Sequence, residues 1–363
     1  KEEGNLCSKL KIIFESMGAE TIVDDAGKKI GASTGNLIAR FKGNVKAPPL
    51  LLNAHMDTVE PGKGITAILE DGIFTSEGDT ILGADDKSAI AILLETLQVL
   101  NENDLPYGPI ELVLTVCEEI GLLGAKHLNL DLITAKYGYA LDATDTEGIV
   151  TRAPSANRFE FKVHGKDAHA GAAPEKGINA ILLASKAIAQ LELGRIDHET
   201  TCNIGVIEGG KAINIVPNLA TVKGEVRSHD PDKLNKITDK IVSSFNEVVK
   251  NYRTKSTDNN LPHLESKIEK DFSRTHIPDD HPVVKLAGMA AKNLGREMVA
   301  KTTGGGADAN IFFENGIVVG VLGTGMRDMH TVRESVALGD MVQSTELLLE
   351  IIRLHSLDQG LID

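Results

Sequence analysis

Short apolar segments alternate with longer amphipathic segments near both ends of the chain, and this alternation constrains the fold more than any other feature. Residues 50–54 and 110–117 are apolar almost throughout, as strands covered on both faces are. Residues 85–100, between them, predict a helix opened by acidic residues. Further strands are predicted at 137–141 and 317–322, and further helices at 5–17 and 282–294. Strands separated by helices are typical of an α/β sheet covered by helices.

The middle of the chain follows a different pattern. Residues 158–164 alternate polar and apolar side chains, which predicts a strand with one exposed face. A helix, two strands, a helix and a strand are predicted to follow at about 178–193, 201–208, 218–227, 231–251 and 263–270. This βαββαβ order is typical of an α+β unit of ferredoxin-like type. We therefore expect an α/β domain built from residues 1–153 and 273–363, with a second domain, residues 154–272, inserted into it.

Charge and composition exclude several classes of partner. The formal net charge of −14 argues against nucleic acid, because neutralising phosphates requires clustered Lys and Arg. No apolar run approaches the ~20 residues of a membrane span, and the first residues show no signal-peptide pattern. The three cysteines, Cys7, Cys117 and Cys202, are far apart. A disulfide framework is therefore not expected, and the expected location is a reducing cytoplasm.

Acidic and histidine side chains occur at five places directly after predicted strands or in the loops beyond them. These places are His55 with Asp57, Asp85 with Asp86, Glu118 with Glu119, Asp142, and His330. Because the carboxyl ends of strands form the ligand crevice of an open α/β sheet, we expect these side chains on one rim. Imidazole and carboxylate ligands suit Zn²⁺, and a carboxylate can bridge two metals. Taken singly, Asp85 and Asp86 could instead be helix caps, and Glu118 and Glu119 a solvated strand end.

Nine short motifs together resemble a known family, the M20 metallopeptidases, and within it the peptidase T (tripeptidase) group. The motifs are NAHMDTV (53–59), LGADDKSAIA (82–91), TVCEEIGLLGA (115–125), LDAT (141–144), DAHAGAAPEKGINA (167–180), INIVPNLA (213–220), EVRSHD (225–230), GGGADANIF (304–312) and MHTVRE (329–334). They occur in family order and extend over nearly the whole chain. The resemblance implies a zinc-exopeptidase-like catalytic domain with a mixed sheet and an inserted lid and dimerisation domain.

The resemblance also implies the metal ligands, which would be His55, Asp85, Glu119, Asp142 and His330. Asp85 would bridge two zinc ions, although Co²⁺ or Mn²⁺ could also occupy a site of oxygen and imidazole ligands. Asp57 would orient the His55 ring through its second nitrogen. Glu118 would be the general base that activates the attacking water. Asp86 is expected to cap the helix or to support a ligand.

Further functional residues are implied in and around the inserted domain. His169 resembles the family histidine that stabilises the developing oxyanion, and in dimeric members it reaches the partner's site. Asn214 and Arg227 resemble residues that hold the substrate, and Arg227 is suited to binding a carboxylate. Gly305, within the run 304–306, could offer its backbone N–H to an anion. A homodimer through the lid domain is therefore expected.

The expected activity is release of the N-terminal residue from di- and tripeptides or other short peptides. An alternative is hydrolysis of an N-acyl or carbamoyl amino acid, or of a carboxypeptidase-like substrate, by the same metal centre. A non-catalytic relative is disfavoured, because the five ligands, Glu118 and Asp57 are all present. A nucleotide-binding α/β protein is disfavoured because no glycine fingerprint follows the first strand.

Overall fold

The chain forms two compact units in a computed structural model that describes residues 1–253 and 260–357. The first unit consists of residues 1–153 and those from 275 onward, and the second of residues 154–274. The sequence-predicted domain ranges also include residues 254–259 and 358–363, which lie outside the described residues. The predicted fold class, α/β with a mixed sheet and an inserted α+β unit, is confirmed.

The first part of unit one contributes four helices and eight strands. In chain order these are α1 (Gly4–Ser16), β1 (Glu20–Val23), α2 (Ala26–Ile30), β2 (Leu37–Phe41), β3 (Leu50–His55), β4 (Ala67–Glu70), β5 (Ile73–Ser76), α3 (Ala84–Glu102), β6 (Ile110–Thr115), α4 (Leu123–Lys126), β7 (Tyr137–Ala143) and β8 (Gly148–Ala153).

The described residues of unit two form two α-helices and five strands. They are β9 (Ser155–His164), α5 (Ala180–Ile188), β10 (Gly194–Arg195), β11 (Thr200–Gly209), β12 (Leu219–Ser228), α6 (Pro231–Arg253) and β13 (His263–Phe272). The chain then returns to unit one with β14 (Thr275–His276), α7 (Pro282–Asn293), β15 (Val299–Thr302), α8 (Asp308–Glu314), β16 (Val318–Gly323), β17 (Met326–Arg327), β18 (Ser335–Ala337) and α9 (Leu338–Leu357).

The centre of unit one is a mixed sheet with the strand order β1-β2-β6-β3-β7-β16-β8-β14, and β15 pairs with β8. The four central strands, β6, β3, β7 and β16, run parallel to one another. Their carboxyl ends therefore meet at one edge, where His55 pairs with Thr115. A smaller sheet, in the order β17-β18-β5-β4, belongs to the same unit.

Both faces of the central sheet are covered, which explains why its strands are apolar without alternation. Every residue of β3 and β6 is buried. Leu50 and Leu52 pack into a large core that includes residues of α1, α3, α7 and α9. Leu51, between them, packs on the opposite face with Phe312 of α8. Among the predicted site residues, His55, Glu119 and Asp142 lie at or just beyond the carboxyl ends of β3, β6 and β7.

Unit two has the predicted βαββαβ order, and its main strands lie in the order β11-β12-β9-β13 with antiparallel pairing throughout. Phe159, Phe161 and Val163 of β9 point to one face, where they pack with α5 and α6. The rings of Phe161 and Phe245 stack with centroids 4.4 Å apart. The alternation seen in the sequence at 158–164 therefore comes from a sheet with helices on one face.

The helix predicted at 178–193 is shorter in the structure, where α5 spans Ala180–Ile188. Its last turn closes with tighter bonds from Gln190 N–H to Ala187 and from Leu191 N–H to Ile188. Gly194 then adopts a positive φ of 83°, a conformation that glycine adopts without strain.

Among the described residues, no helix is long and apolar enough to cross a bilayer.

Candidate metal centre and active site

The carboxylate of Asp85 lies between two histidines from distant parts of the chain. Its Oδ1 is 2.9 Å from Nε2 of His55, the last residue of β3. Its Oδ2 is 3.2 Å from Nε2 of His330, in the loop between β17 and β18. Glu119 Oε1 is 3.0 Å from the same His330 nitrogen. Two imidazoles thus share one carboxylate, an arrangement that suits a bridging ligand between two cations.

The close charges shift the acid–base equilibria of this group. The pKa of His330 is raised to about 9, mainly by hydrogen bonding to Asp85 and against the effect of burial. Burial lowers the pKa of His55, but Asp57 and Asp85 outweigh it and raise that pKa well above its ordinary value. Burial would raise the pKa of Asp85, but the two histidines hold it below its ordinary value. These raised pKa values favour the protonated imidazoles, and a bound cation would compete with those protons.

Asp57 contacts both the His55 ring and the backbone of the paired glutamates. Its Oδ1 accepts a hydrogen bond from Glu118 N–H at 2.9 Å, and its Oδ2 accepts one from Glu119 N–H at 3.1 Å. Oδ1 also lies 3.3 Å from Nδ1 of His55. Burial would raise the pKa of Asp57, but these contacts keep it below its ordinary value. A single ionised carboxylate thus positions three of the predicted site residues.

Glu118 is buried beside Glu119 at the end of β6, where the chain turns sharply. Cys117, directly before them, has a positive φ of 56°, so the two glutamates leave the strand in a turn rather than in extended alternation. Burial, and after it the nearby carboxylates of Asp142 and Asp308, raise the pKa of Glu118 well above its ordinary value. A carboxylate with a raised pKa is a better general base near neutral pH.

Asp142, in β7, belongs to a second group of oxygens. Ligand atoms of Asp85, Asp86 and Asp142 lie within 4.8 Å of one another, as do those of His55, Asp85 and Glu119. Asp86 Oδ2 accepts a hydrogen bond from the His55 backbone N–H at 3.0 Å, while its Oδ1 has no hydrogen-bond partner in the described part of the chain. Burial and neighbouring carboxylates raise the pKa of Asp142 well above its ordinary value. Asp85 belongs to both groups.

The residues present fit divalent cations. Six carboxylates, those of Asp57, Asp85, Asp86, Glu118, Glu119 and Asp142, lie near His55 or His330 or beside one another. Like charges so close together destabilise the ionised state. The half-buried Lys87 donates from Nζ to the Asp57 backbone carbonyl oxygen at 2.9 Å. Oxygen and imidazole donors without cysteine match the preferences of Zn²⁺ and of Co²⁺ or Mn²⁺.

In unit two, His169 and Asn214 lie on adjoining loops. The Ala170 N–H donates to the Asn214 carbonyl oxygen at 2.9 Å, and His169 pairs with Ile215 in an isolated bridge. His169 Nδ1 accepts hydrogen bonds from the N–H groups of Gly171 and Ala172, both at 3.1 Å. An imidazole whose Nδ1 accepts carries its proton on Nε2. His169 is exposed, so this Nε2–H is an available donor.

Two of the predicted substrate-binding groups have partners within their own units. Arg227 donates from Nε and Nη2 to the two oxygens of Glu225, at 2.9 and 3.1 Å, and its guanidinium lies 5.9 Å from the ring centroid of Phe272. The Gly305 N–H donates to Thr303 Oγ1 at 3.1 Å. The Arg227 Nε and Nη2 donors and the Gly305 N–H therefore already have hydrogen-bond acceptors within the chain.

Sequence reasoning gave no role to two other residues of this region. Glu334 is 1% exposed and accepts hydrogen bonds from the backbone N–H groups of Gly83 and Asp85. Asp308 is buried, hydrogen bonds to Thr115, and has its pKa raised to about 6, mainly by burial. Both lie inside motifs that carried the family resemblance, at 329–334 and 304–312. The sequence motifs contain both residues, but a motif does not indicate which groups its residues contact.

Two family models and several known proteins match this chain. The family model described as "Peptidase family M28" matches residues 36–173, and "Peptidase dimerisation domain" matches residues 154–253. An uncharacterized protein of Bacillus subtilis, YqjE, is 39% identical over 353 residues, which are 97% of this chain and 93% of that protein.

Two solved structures are similar over nearly their whole length. The aminopeptidase PepT of Bacillus cereus is 37% identical with a TM-score of 0.85, and the match covers 98% of this chain and 94% of that one. A tripeptidase of Staphylococcus aureus is 35% identical with a TM-score of 0.88, covering 99% and 95%. The fold and the cluster of acids and histidines define a metal-dependent peptide hydrolase. The chain belongs to the M20 family of metallopeptidases, in the peptidase T-like group, and is an exopeptidase, as the sequence predicted.

Proposed function

We propose that this protein is a dizinc aminopeptidase that releases the N-terminal residue of short peptides, with tripeptides preferred. The observation that carries this proposal is the Asp85 carboxylate, with one oxygen 2.9 Å from His55 and the other 3.2 Å from His330. The solved relatives titled aminopeptidase and tripeptidase supply the expected substrate class. Co²⁺ or Mn²⁺ are alternative ions for the same ligands.

The proposed roles divide the metal ligands into two sets that share Asp85. His55 and Asp142 would hold one ion, and Glu119 and His330 the other. When bound, the two ions polarise the scissile carbonyl and lower the pKa of water. Glu118, with its raised pKa, accepts the proton of the attacking water and returns it to the leaving amine. Asp57 orients His55 and holds the turn that carries Glu118.

His169 is proposed to stabilise the oxyanion that forms as water attacks. Two backbone N–H groups donate to its Nδ1, which leaves Nε2–H as the outward donor. A preformed donor of this kind needs no reorganisation in the transition state, which is why such groups accelerate acyl transfer. Asn214, whose carbonyl oxygen is bonded to the backbone next to His169, is proposed to bind the substrate beside it.

Arg227 is proposed to bind the substrate's carboxylate, as part of a charge pair with Glu225. Because Glu225 balances the charge of the guanidinium, the pair forms a polar, nearly neutral surface and not an isolated cation. The carboxylate of a bound peptide would compete with Glu225 for the guanidinium. Gly305 stays a weaker candidate for substrate binding, because Thr303 already accepts its N–H. An N-acyl or carbamoyl amino acid is the alternative substrate, which the assay below distinguishes.

A homodimer through unit two is proposed from the match to a dimerisation domain and from the edge of its sheet. Beyond Cys202, β11 pairs on one side only among the described strands. Val206 and Ile207 on this edge are 40% and 52% exposed. An unpaired strand with exposed apolar residues favours pairing with a second chain. Unit one would then be the catalytic domain and unit two the lid and dimerisation domain.

A reducing, cytoplasmic location is proposed on the chemistry of the thiols. Cys7, Cys117 and Cys202 are each buried, and none of them forms a disulfide among the described residues. Burial raises the pKa of Cys117 to about 12 and that of Cys202 to about 11. Such thiols are poor nucleophiles and contribute as packed apolar groups.

The test is a metal analysis combined with a substrate panel. The purified protein should contain up to two zinc ions per chain and hydrolyse free-amine tripeptides faster than dipeptides or N-acyl amino acids. Glu118→Ala should retain zinc and lose hydrolysis. Preference for an N-blocked amino acid would replace the aminopeptidase proposal with the alternative. Full activity of Glu118→Ala would refute the assignment of the base.

A further inference from the structure

Glu334 connects the loop that carries His330 to the start of α3, which carries Asp85. Its side chain is 1% exposed. One oxygen, Oε2, accepts a hydrogen bond from the Gly83 N–H at 2.6 Å, and the other, Oε1, accepts one from the Asp85 N–H at 2.9 Å. We infer that Glu334 is a positioning residue for the metal centre, which holds Asp85 where its carboxylate can face both His55 and His330.

The start of α3 needs such an acceptor from elsewhere in the chain. Gly83 precedes the helix with a φ of 73°, and the helix has no side-chain cap of its own. The backbone at Asp85 and Asp86 is non-helical, so local helical bonding does not fix the direction of the Asp85 side chain. The N–H groups at a helix start lack partners within the helix. Glu334 supplies the acceptor for two of them, 249 and 251 residues further along the sequence.

A buried carboxylate is costly unless it is well hydrogen-bonded. In the described part of the chain, no Lys, Arg or His forms an ion pair with Glu334, so the backbone donors are the contacts that hold its charge. Such bonds are charge-assisted and directional. They fix the separation between the backbone of Asp85 and the 330–334 loop.

The same loop carries His330, and it is short. The Glu334 N–H donates to the Thr331 carbonyl oxygen at 3.1 Å, which makes the segment a compact turn. His330 Nε2 lies 3.2 Å from Asp85 Oδ2. Displacement of Glu334 would therefore move two proposed ligands of one ion relative to each other. The inference rests on the proposed dizinc site, but it concerns binding of the metal and not the choice of peptide.

Glu111 provides a matched control within the same unit. It is 5% exposed, and its Oε2 accepts hydrogen bonds from the N–H groups of Thr134 and Ala135, at 2.8 and 2.9 Å. It stands near the amino end of β6, the opposite end of the strand from the glutamates of the site. Glu111→Gln and Glu334→Gln thus both replace a buried carboxylate that accepts two backbone N–H groups with a neutral amide. Glu334 uses one oxygen for each N–H, whereas one Glu111 oxygen accepts both and the other accepts from Thr134 Oγ1.

The experiment measures zinc affinity by competition with a chromogenic chelator, in parallel with urea unfolding of the chelated proteins. Glu334→Gln should bind zinc about 10- to 100-fold more weakly than wild type, as loss of a ligand-orienting contact does. Its kcat should fall at limiting zinc and recover as zinc is raised, with KM for the peptide changed less than twofold. Glu111→Gln should lose stability but keep its zinc affinity within about threefold, because its bonds are remote from the site.

Wild-type zinc affinity in Glu334→Gln would overturn the inference, and so would an equal loss of affinity in Glu111→Gln. If Glu334→Gln fails to fold, Glu334→Asp keeps the charge but shortens the side chain by one methylene. Wild-type affinity in that variant would overturn the inference, and a weakened affinity would support it. Weakened zinc binding in a protein that cleaves no peptide would support the inference while contradicting the proposed function.

Discussion

Replacement of Asp57 should destabilise the protein and weaken its metal binding, although Asp57 is not itself a proposed ligand. Its two oxygens accept the N–H groups of Glu118 and Glu119, and Oδ1 lies 3.3 Å from His55. Asp57→Ala removes both acceptors and leaves two N–H groups in a buried site. Asp57→Asn keeps one acceptor but places an amide NH₂ against the other N–H group.

The size of the effect follows from these contacts. Hydrogen bonds to a charged group contribute about 1.5–3 kcal/mol each, so two bonds amount to about 3–6 kcal/mol. Removing one negative charge from the acidic cluster offsets about 1 kcal/mol of this, the repulsion between two unit charges about 4 Å apart at the dielectric of water. We therefore expect Asp57→Ala to lower the free energy of unfolding by about 2–5 kcal/mol, and Asp57→Asn by about half as much. Loss of the contact to His55 should weaken zinc binding by about 10- to 100-fold.

Urea unfolding of the chelated protein measures the first quantity, and chelator competition measures the second. Both variants should also lose kcat/KM, more in Asp57→Ala than in Asp57→Asn. The reasoning would be refuted if Asp57→Ala unfolded within about 0.5 kcal/mol of wild type, the range of ordinary surface changes. It would also be refuted if the two variants lost equal stability, because the difference between them isolates the one acceptor that Asn retains.

Four further predictions concern the metal centre, the proposed catalytic residues and the proposed dimer. Zinc binding at pH 7.5 should release at least one proton, because the pKa of His330 is raised to about 9 in the metal-free protein. The number of protons released should decline as the pH rises through 9. Calorimetry in buffers of different ionisation enthalpy measures this number. Glu118→Gln should keep zinc while its kcat falls about 10²- to 10⁴-fold in steady-state assays. His169→Ala should lower kcat about 10²- to 10³-fold with unchanged zinc affinity. Ile207→Glu should convert the proposed dimer to a monomer in sedimentation, whereas Ile12→Glu, on an exposed face of α1, should not.

Each of these outcomes has a clear opposite. Zinc binding without a buffer dependence would show that His330 is already neutral at pH 7.5. Loss of zinc from the Glu118 variant would make that residue a ligand and not the base. An unchanged kcat in His169→Ala would remove it from the proposed mechanism. A dimer that survives Ile207→Glu would place the interface away from β11.

The residue types of the site could be predicted from the sequence because they follow strands that are locally recognisable. The apolar runs ending at 54 and 117 are buried on both faces of the sheet, and parallel strands bring their carboxyl ends together. Position relative to a strand therefore predicted that His55, Glu119 and Asp142 would meet. The βαββαβ order of unit two was predictable for the same reason, since its strands alternate and its helices are amphipathic.

Details of the backbone were less predictable where a local rule conflicts with a distant contact. Residues 85–100 were predicted as one helix opened by two acids. The structure has non-helical backbone at Asp85 and Asp86 and no side-chain cap at this helix start. The Asp85 carboxylate faces the His55 and His330 rings, and Asp86 accepts from the His55 backbone N–H. For Arg227, the sequence indicated a carboxylate-binding group, but it could not indicate that Glu225 already occupies part of the fork.

The sequence by itself determined which chemical groups this protein carries, the order of its elements and the family to which it belongs. Tertiary structure alone decided which atoms meet. Asp85 lies between His55 and His330, and Glu334 reaches back 249 residues to the Asp85 N–H. The periodicity of apolar residues indicates only the local secondary structure and which face of it is buried. The separation between two distant loops is set by how the sheet, its covering helices and the buried carboxylate pack together.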